Sequence, residues 1–221
     1  MASINEFLLF LNFKYEHAQK PFVGEYETKD HIVHVIDEGE DQYIDILKRL
    51  KGKEDFPQLV EVISMGVHRA VVLERRDGIP FKYPSDYDIK YIVKMVRELH
   101  NAGIAHGNIS PLSILFDAKG KLFFTKLEGA CLLTKKSTRQ TTYNCPESQF
   151  PRVDTVNVKA DYWCLGLTLY NVLTEEWFRE FFNNEFRYPT FTPRRELSSY
   201  CNKLLSGLLC HDPENRTLNV V

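Results

Sequence analysis

A chain of 221 residues, 43% hydrophobic and 26% charged, holds enough apolar material for one substantial core or for two small lobes sharing a cleft. Its formal net charge of −2 gives no electrostatic reason to bind nucleic acid, and the apolar run Phe7–Leu11 is too short to span a membrane and lacks a small-residue cleavage site. The five cysteines (Cys131, Cys145, Cys164, Cys201 and Cys210) form no CxxC pair, and an odd number without a signal peptide reads as reduced thiols, so an intracellular, cytoplasmic or nuclear location is expected.

Up to about residue 37 the chain carries short apolar stretches. Phe7–Leu11 reads as an early strand or helix, and His31–Ile36 as a strand. Residues 40–51 predict a helix, because Tyr43, Ile44, Leu47 and Leu50 recur at spacings of three and four. The basic cluster Lys48-Arg49-Leu50-Lys51 then falls largely on its solvated face. Two further strands are expected at Leu59–Ile63 and Ala70–Leu73. After Glu74–Gly78 the character turns helical, which divides the chain into a β-rich part, 1–78, and a helical part, 79–221. No repeat or low-complexity linker separates them, so a tight connection is expected.

The second part opens with a strongly signalled helix. Ser85 is a cap, Asp88 three residues on completes a capping box, and Ile89, Ile92, Val93, Val96 and Leu99 form one face before Gly103. Ile114–Phe116, the turn Asp117–Gly120 and Leu122–Phe124 read as a hairpin. Asp161–Leu173 is apolar on nearly every face, and a helix of that kind in a soluble protein must be surrounded by protein. A last amphipathic stretch aligns Leu197, Cys201, Leu204, Leu205 and Leu208.

Capped helix, His106-Gly107-Asn108 loop, hairpin, Cys145-Pro146-Glu147, apolar helix with Asp161, and Asp212-Pro213-Glu214-Asn215-Arg216 follow one another in the order seen in the C-terminal lobe of protein kinases. The chain resembles that family over roughly residues 30–217. The resemblance implies an α+β, protein-kinase-like bilobal fold, with a small, reduced β-rich N-lobe and a larger, mainly helical C-lobe.

It also implies which positions would carry chemistry. His106 matches the packing histidine of the catalytic loop, and Asn108 stands where the catalytic Asp would be. A carboxamide cannot accept the substrate hydroxyl proton, so a general-base contribution of about 10²–10⁴ is expected to be absent. Ser110 replaces the loop lysine, and Ser113 replaces the Asn that binds magnesium. Counted without a gap, the DFG triplet falls on Lys126-Leu127-Glu128; a one-residue gap gives Leu127-Glu128-Gly129. In the first register the metal-binding Asp is a lysine, whose charge opposes a cation.

His31-Ile32-Val33-His34-Val35 resembles the VAIK strand, with His34 at the lysine position; the alternative is an edge-strand histidine with no ligand. Tyr43 falls where the partner Glu of the helix would be, with Asp45 two residues later. The preceding segment has one glycine, Gly24, and no GxGxxG, so no bare backbone is expected to cover a phosphate.

The residues that hold the lobe together are present. Glu147 and Arg216 match a buried ion pair, the alternative being two unrelated surface charges. Asp161 matches the residue that accepts backbone donors from the catalytic loop, the alternative being a simple helix cap. Trp163 and Gly166 lie in the matching helix. Gly107 replaces the arginine that clamps a phosphorylated activation segment, so Ser137, Thr138, Thr141 and Thr142 read as solvent-facing hydroxyls, the alternative being that Lys135, Lys136 and Arg139 serve a partner contact.

These positions imply a pseudokinase with no catalytic, nucleotide or metal site, with weak or absent ATP binding and no magnesium dependence. Its role would be that of a protein-binding scaffold, allosteric regulator or decoy. The expected partner is a protein, an active kinase among the options, with no nucleic acid and no membrane. A viral or parasite mimic fits the compact chain, and His106-Gly107-Asn108 with Leu127-Glu128 resembles PX-domain-associated pseudokinases more weakly. The alternative is an atypical or weakly active ATP-dependent kinase, in which Lys126 neutralises phosphates and Glu128 or Asp117 serves as base.

Overall fold

The computed structural model describes residues 23–37, 39, 41–65, 67–135, 145–149, 156–182 and 185–219. The expectations for Phe7–Leu11, Lys136, Ser137, Thr138, Arg139, Thr141 and Thr142 lie outside them. The chain divides into two compact units between Asp77 and Gly78, one residue before the boundary read from the sequence. Among the described residues no helix is long and apolar enough to cross a membrane.

The first unit is built on an antiparallel sheet of β1 (Gly24–Glu27), β2 (His31–Asp37), β3 (Leu59–Met65) and β4 (His68–Glu74), in the order β1-β2-β4-β3. Thr28 tightens the first hairpin, its hydroxyl accepting from the His31 amide at 3.0 Å. Val33 and Val35 of β2 and Ala70 and Val72 of β4 form a fully buried cluster, with Tyr26 and Ile63 packed against it. The β-branched residues favour this pleated, packed surface. Helix α1 (Asp41–Arg49) buries Tyr43, Ile44, Ile46 and Leu47, and Leu50 just beyond its end is also buried. The face expected from the spacing is therefore the face that packs.

In the second unit, α2 (Asp86–Asn101) begins at the expected capping box. The Asp88 carboxylate accepts from the Ser85 amide at 2.8 Å, while the Ser85 hydroxyl accepts from the Asp88 amide at 3.3 Å. Ile89, Ile92, Met95, Val96 and Leu99 are each fully buried, worth about 1.5–3 kcal/mol apiece relative to exposure. Gly103, at φ 75°, turns the chain after the helix. Short strands follow: β5 (Ile79–Pro80) precedes the helix and pairs with β7 (Ile114–Phe116), β7 pairs with β8 (Leu122–Phe124), and β6 (Ile104–Ala105) pairs with β9 (Cys131–Leu132). The expected hairpin thus acquires a third strand.

Helix α3 (Val158–Thr174) is buried along most of its length, from Trp163 through Tyr170 without interruption. It starts three residues earlier than its apolar run suggests, because Asn157 caps it: the Asn157 side chain accepts from the amides of Lys159 and Ala160. Strands β10 (Glu180–Phe182) and β11 (Glu185–Arg187) form a small ladder. Helix α4 (Ser199–Leu208) turns Cys201, Leu204, Leu205 and Leu208 inward, while Leu197 lies before its start. A Cβ added at Gly166 of α3 would stand 2.8 Å from Leu209 and 3.0 Å from Leu208, so the helices meet where only glycine leaves room.

Candidate functional site

In the second unit the site is assembled around one buried carboxylate. Asp161 lies in the first turn of α3, wholly buried. Its Oδ2 accepts from the His106 amide at 2.7 Å and its Oδ1 from the Gly107 amide at 2.8 Å. The His100 ring, at the end of α2, places Nε2 2.8 Å from the same Oδ2. The helix-cap alternative for Asp161 is thereby corrected: Asn157 performs the capping, and Asp161 holds the loop. A second tie comes one face further along, where the Thr168 hydroxyl donates to the Ile109 carbonyl at 3.3 Å.

The loop itself follows from these anchors. His106 is fully buried, stacked obliquely on Phe124, and its Nδ1 accepts from the Asn108 amide at 3.2 Å. Burial holds its imidazole below the ordinary histidine range, against the opposing pull of Asp161. Gly107 sits at φ 71°, and a Cβ there would stand 2.5 Å from the Gly129 carbonyl oxygen and 2.7 Å from Val156. A left-handed backbone pressed against another backbone requires glycine. No arginine fits at this position without moving the chain.

Asn108 is half-buried, and Ser110 and Ser113 are buried. The Ser113 hydroxyl is engaged by the main chain of Ser110: its Oγ accepts from the Ser110 amide and donates to the Ser110 carbonyl, both at 2.9 Å. Lys126 follows β8 in the left-handed conformation (φ 58°, ψ 56°), with an exposed side chain, and opens a 3₁₀ turn, Leu127–Gly129, in which Glu128 is exposed and Leu127 buried. Asp117 closes the hairpin turn, its Oδ1 accepting from the amides of Lys119 at 2.9 Å and Lys121 at 2.8 Å.

Beneath the lobe, Arg216 meets Glu147 through two hydrogen bonds of 2.6 Å, its side chain entirely buried and that of Glu147 nearly so. Arg216 also donates to the carbonyls of Cys210 at 2.7 Å, His211 at 3.0 Å and Lys159 at 3.1 Å, and its guanidinium lies 4.9 Å from the Trp163 ring centre. The surface-charge alternative is therefore corrected. Burial, the largest single influence, pushes the Glu147 carboxyl up, but the hydrogen bonds and charge of Arg216, together with hydrogen bonds from its own backbone amide and Cys145, outweigh it and hold the group below its ordinary range.

In the first unit, His34 and Tyr43 are brought together as a pair. His34 is buried in β2, which lies between β1 and β4, so the edge-strand alternative is corrected. Its Nδ1 lies 2.6 Å from the Tyr43 hydroxyl, the rings stack at 5.7 Å, and its Nε2 is 3.2 Å from Glu25, its cross-strand neighbour on β1. With Nε2 donating to Glu25, Nδ1 accepts from the tyrosine. Asp45 is exposed on the outer side of α1. Gly24 opens β1 in extended backbone.

Sequence reasoning did not foresee His100 or Glu25 as partners. Both contacts join residues through the fold, and only the helical position of His100 and the strand register of Glu25 bring them into reach. Nor did it read Gly107 as a steric requirement.

The comparisons agree with this geometry. The protein kinase domain family matches residues 28–218. The chain is 29% identical over 139 residues to the serine/threonine-protein kinase AtPK2/AtPK19 of Arabidopsis thaliana, a stretch covering 57% of this chain and 28% of that one. It is 27% identical over 201 residues to the serine/threonine-protein kinase STK11 of Gallus gallus, covering 78% of this chain and 45% of the relative. The chain thus spans less than half the length of these relatives. Its fold is similar to that of the Cydia pomonella granulovirus kinase PK-1, with a TM-score of 0.69 at 16% identity, covering 86% of this chain and 82% of that one. With most of its length matched and a kinase-like fold, the chain belongs to the protein kinase domain family.

Proposed function

We propose that this chain is a pseudokinase, which acts by binding another protein as a scaffold, allosteric regulator or decoy of an active kinase, and does not transfer phosphate. The observation that carries the reading is the set Asn108, Ser113 and Lys126, at the positions where the family resemblance calls for a base and two metal ligands. The Ser113 hydroxyl is engaged at both ends with Ser110, which supports a structural role for it. Kinase catalysis rests almost wholly on positioning and metal electrostatics, so losing both ligand positions removes its main terms together. His34 on Tyr43, in place of a lysine on a glutamate, supports the same reading for nucleotide binding. The buried scaffold of Asp161 and Arg216 would present surfaces to a protein partner inside the cell, with no ATP or magnesium requirement.

The test combines transfer and binding. Incubation with ATP and magnesium should give no phosphotransfer above background, to itself or to a generic substrate, and ATP should shift the melting temperature little, with no gain from magnesium. A ligand at 100 times its dissociation constant stabilises a fold by about 2.7 kcal/mol, so tight binding would be plain. Transfer abolished by Lys126→Ala would overturn the reading in favour of a weakly active kinase with a rearranged site.

A further inference from the structure

Away from the loop site, the second unit has a concave, partly open cavity of about 380 Å³ between α2, α4 and the segment after Arg216. Its lining combines Lys90, Lys94 and Arg97 of α2 with Tyr200 of α4, over a floor that includes buried Val93 and Leu218. Glu98 and Asn101 complete the rim. Three cations against one carboxylate leave an excess positive charge in a concave site large enough for a few side chains.

Lys90 and Arg97 are held by uncharged groups, and Lys94 alone has a carboxylate beside it. The Lys90 ammonium lies 5.0 Å from the Tyr200 ring centre. Arg97 donates to the Leu218 carbonyl at 2.9 Å and to the Asn219 side chain at 3.2 Å, neither of which carries charge. Lys94 lies 3.5 Å from Glu98 and 5.3 Å from the Tyr91 ring centre, an exposed i,i+4 pair of small energy that an incoming anion can outcompete.

Spacing selects the kind of anion. Lys90 and Lys94 are one turn apart, about 6 Å along the helix axis, and Arg97 lies about 4.5 Å beyond. Alternate side chains of an extended peptide stand about 6.6 Å apart, so carboxylates two positions apart match the Lys90–Lys94 step, while the intervening residues meet the apolar floor or solvent. A single phosphate reaches only one or two of the three. We propose that this cavity is a docking site for an acidic, extended peptide segment of a partner protein. The site stands whether or not the chain transfers phosphate.

The probe is a short fluorescein-labelled peptide that alternates glutamate with threonine, titrated with the full chain by anisotropy, beside a twin carrying glutamine for every glutamate. Binding should weaken about tenfold with Lys90→Gln and Lys94→Gln combined. It should fall at least as far for the glutamine twin and weaken as salt rises. Both lysines are exposed, so the melting temperature should not change. As a control, Lys119→Gln at the exposed hairpin turn should leave affinity unchanged. No binding of the acidic peptide, equal binding of the twin, or an equal loss with Lys119→Gln would overturn the proposal. So would displacement by a few millimolar inorganic phosphate at constant ionic strength, which would mark a small-anion site instead.

Discussion

The two units hold their buried polar pairs by different chemistry. In the second, the contacts are ionic and multiply bonded. Asp161 is met by two amides and His100, and Arg216 by Glu147 and three carbonyls. In the first, at positions where the family resemblance calls for a lysine and a glutamate, a histidine and a tyrosine share one hydrogen bond. Buried charge is tolerated where an opposite charge and several hydrogen bonds meet it together, and the second unit supplies both to Asp161 and Arg216. The pair in the first unit joins two groups through one hydrogen bond and meets a carboxylate, Glu25, only at the outer nitrogen of His34. Architecture and phosphate chemistry draw on the same residue types, and the contrast is what the proposed pseudokinase reading expects.

The largest effect expected is at Arg216 and Glu147. Removing either partner should cost about 3–5 kcal/mol, since the other is left buried and unpaired, while the double variant should cost much less than the sum. A urea-denaturation cycle with Glu147→Ala, Arg216→Ala and both measures the coupling. Additive losses below about 1 kcal/mol would show the pair to be no stronger than a surface contact. The same pair has a pH signature. The folded carboxyl lies below its ordinary 4.5, so its contribution is complete above about pH 4.5 and disappears as pH falls through the lower folded value. His106 adds a second window. It is held neutral below its ordinary 6.5, so the unfolded chain gains protons first, and stability declines from about pH 6.5 downward. Urea midpoints from pH 7.5 down to about pH 2.5 should fall in two stages, with Glu147→Gln removing the lower one.

Gly107→Ala comes next. It places a side chain at φ 71° and 2.5 Å from a backbone oxygen, and should cost about 2–3 kcal/mol. Thermal unfolding of this variant beside Gly120→Ala separates the two causes, because Gly120 has a similar φ of 75° and open space around it. Equal losses would show that the loop tolerates the contact.

The smallest effect belongs to the first unit. Tyr43→Phe removes one hydroxyl from His34 and should cost about 0.5–1.5 kcal/mol in urea unfolding. A loss as large as that of the ionic pair would erase the contrast between the two units.

Much of the fold was legible locally. The capping box of α2, the packed face of α1, the β7–β8 hairpin and the all-round burial of α3 each depend on residues within a turn or a strand of one another, where spacing alone decides which side faces the core. Even the Glu147–Arg216 pair was readable, since each member sits in its own local motif. Other features arose only from chain segments distant in sequence. Asn157 took the cap, which left Asp161 to reach His106 and Gly107 more than fifty residues away. His34 became an interior residue because β1 and β4 flank its strand, and Gly107 became obligatory because Gly129 and Val156 close on it. The cations of α2 line a cavity only because Tyr200 and Leu218 pack beside them. Periodicity reports which face of an element is apolar; which partner that face or its polar neighbours meet is settled by packing, where close approach and the need to satisfy every buried polar group act together.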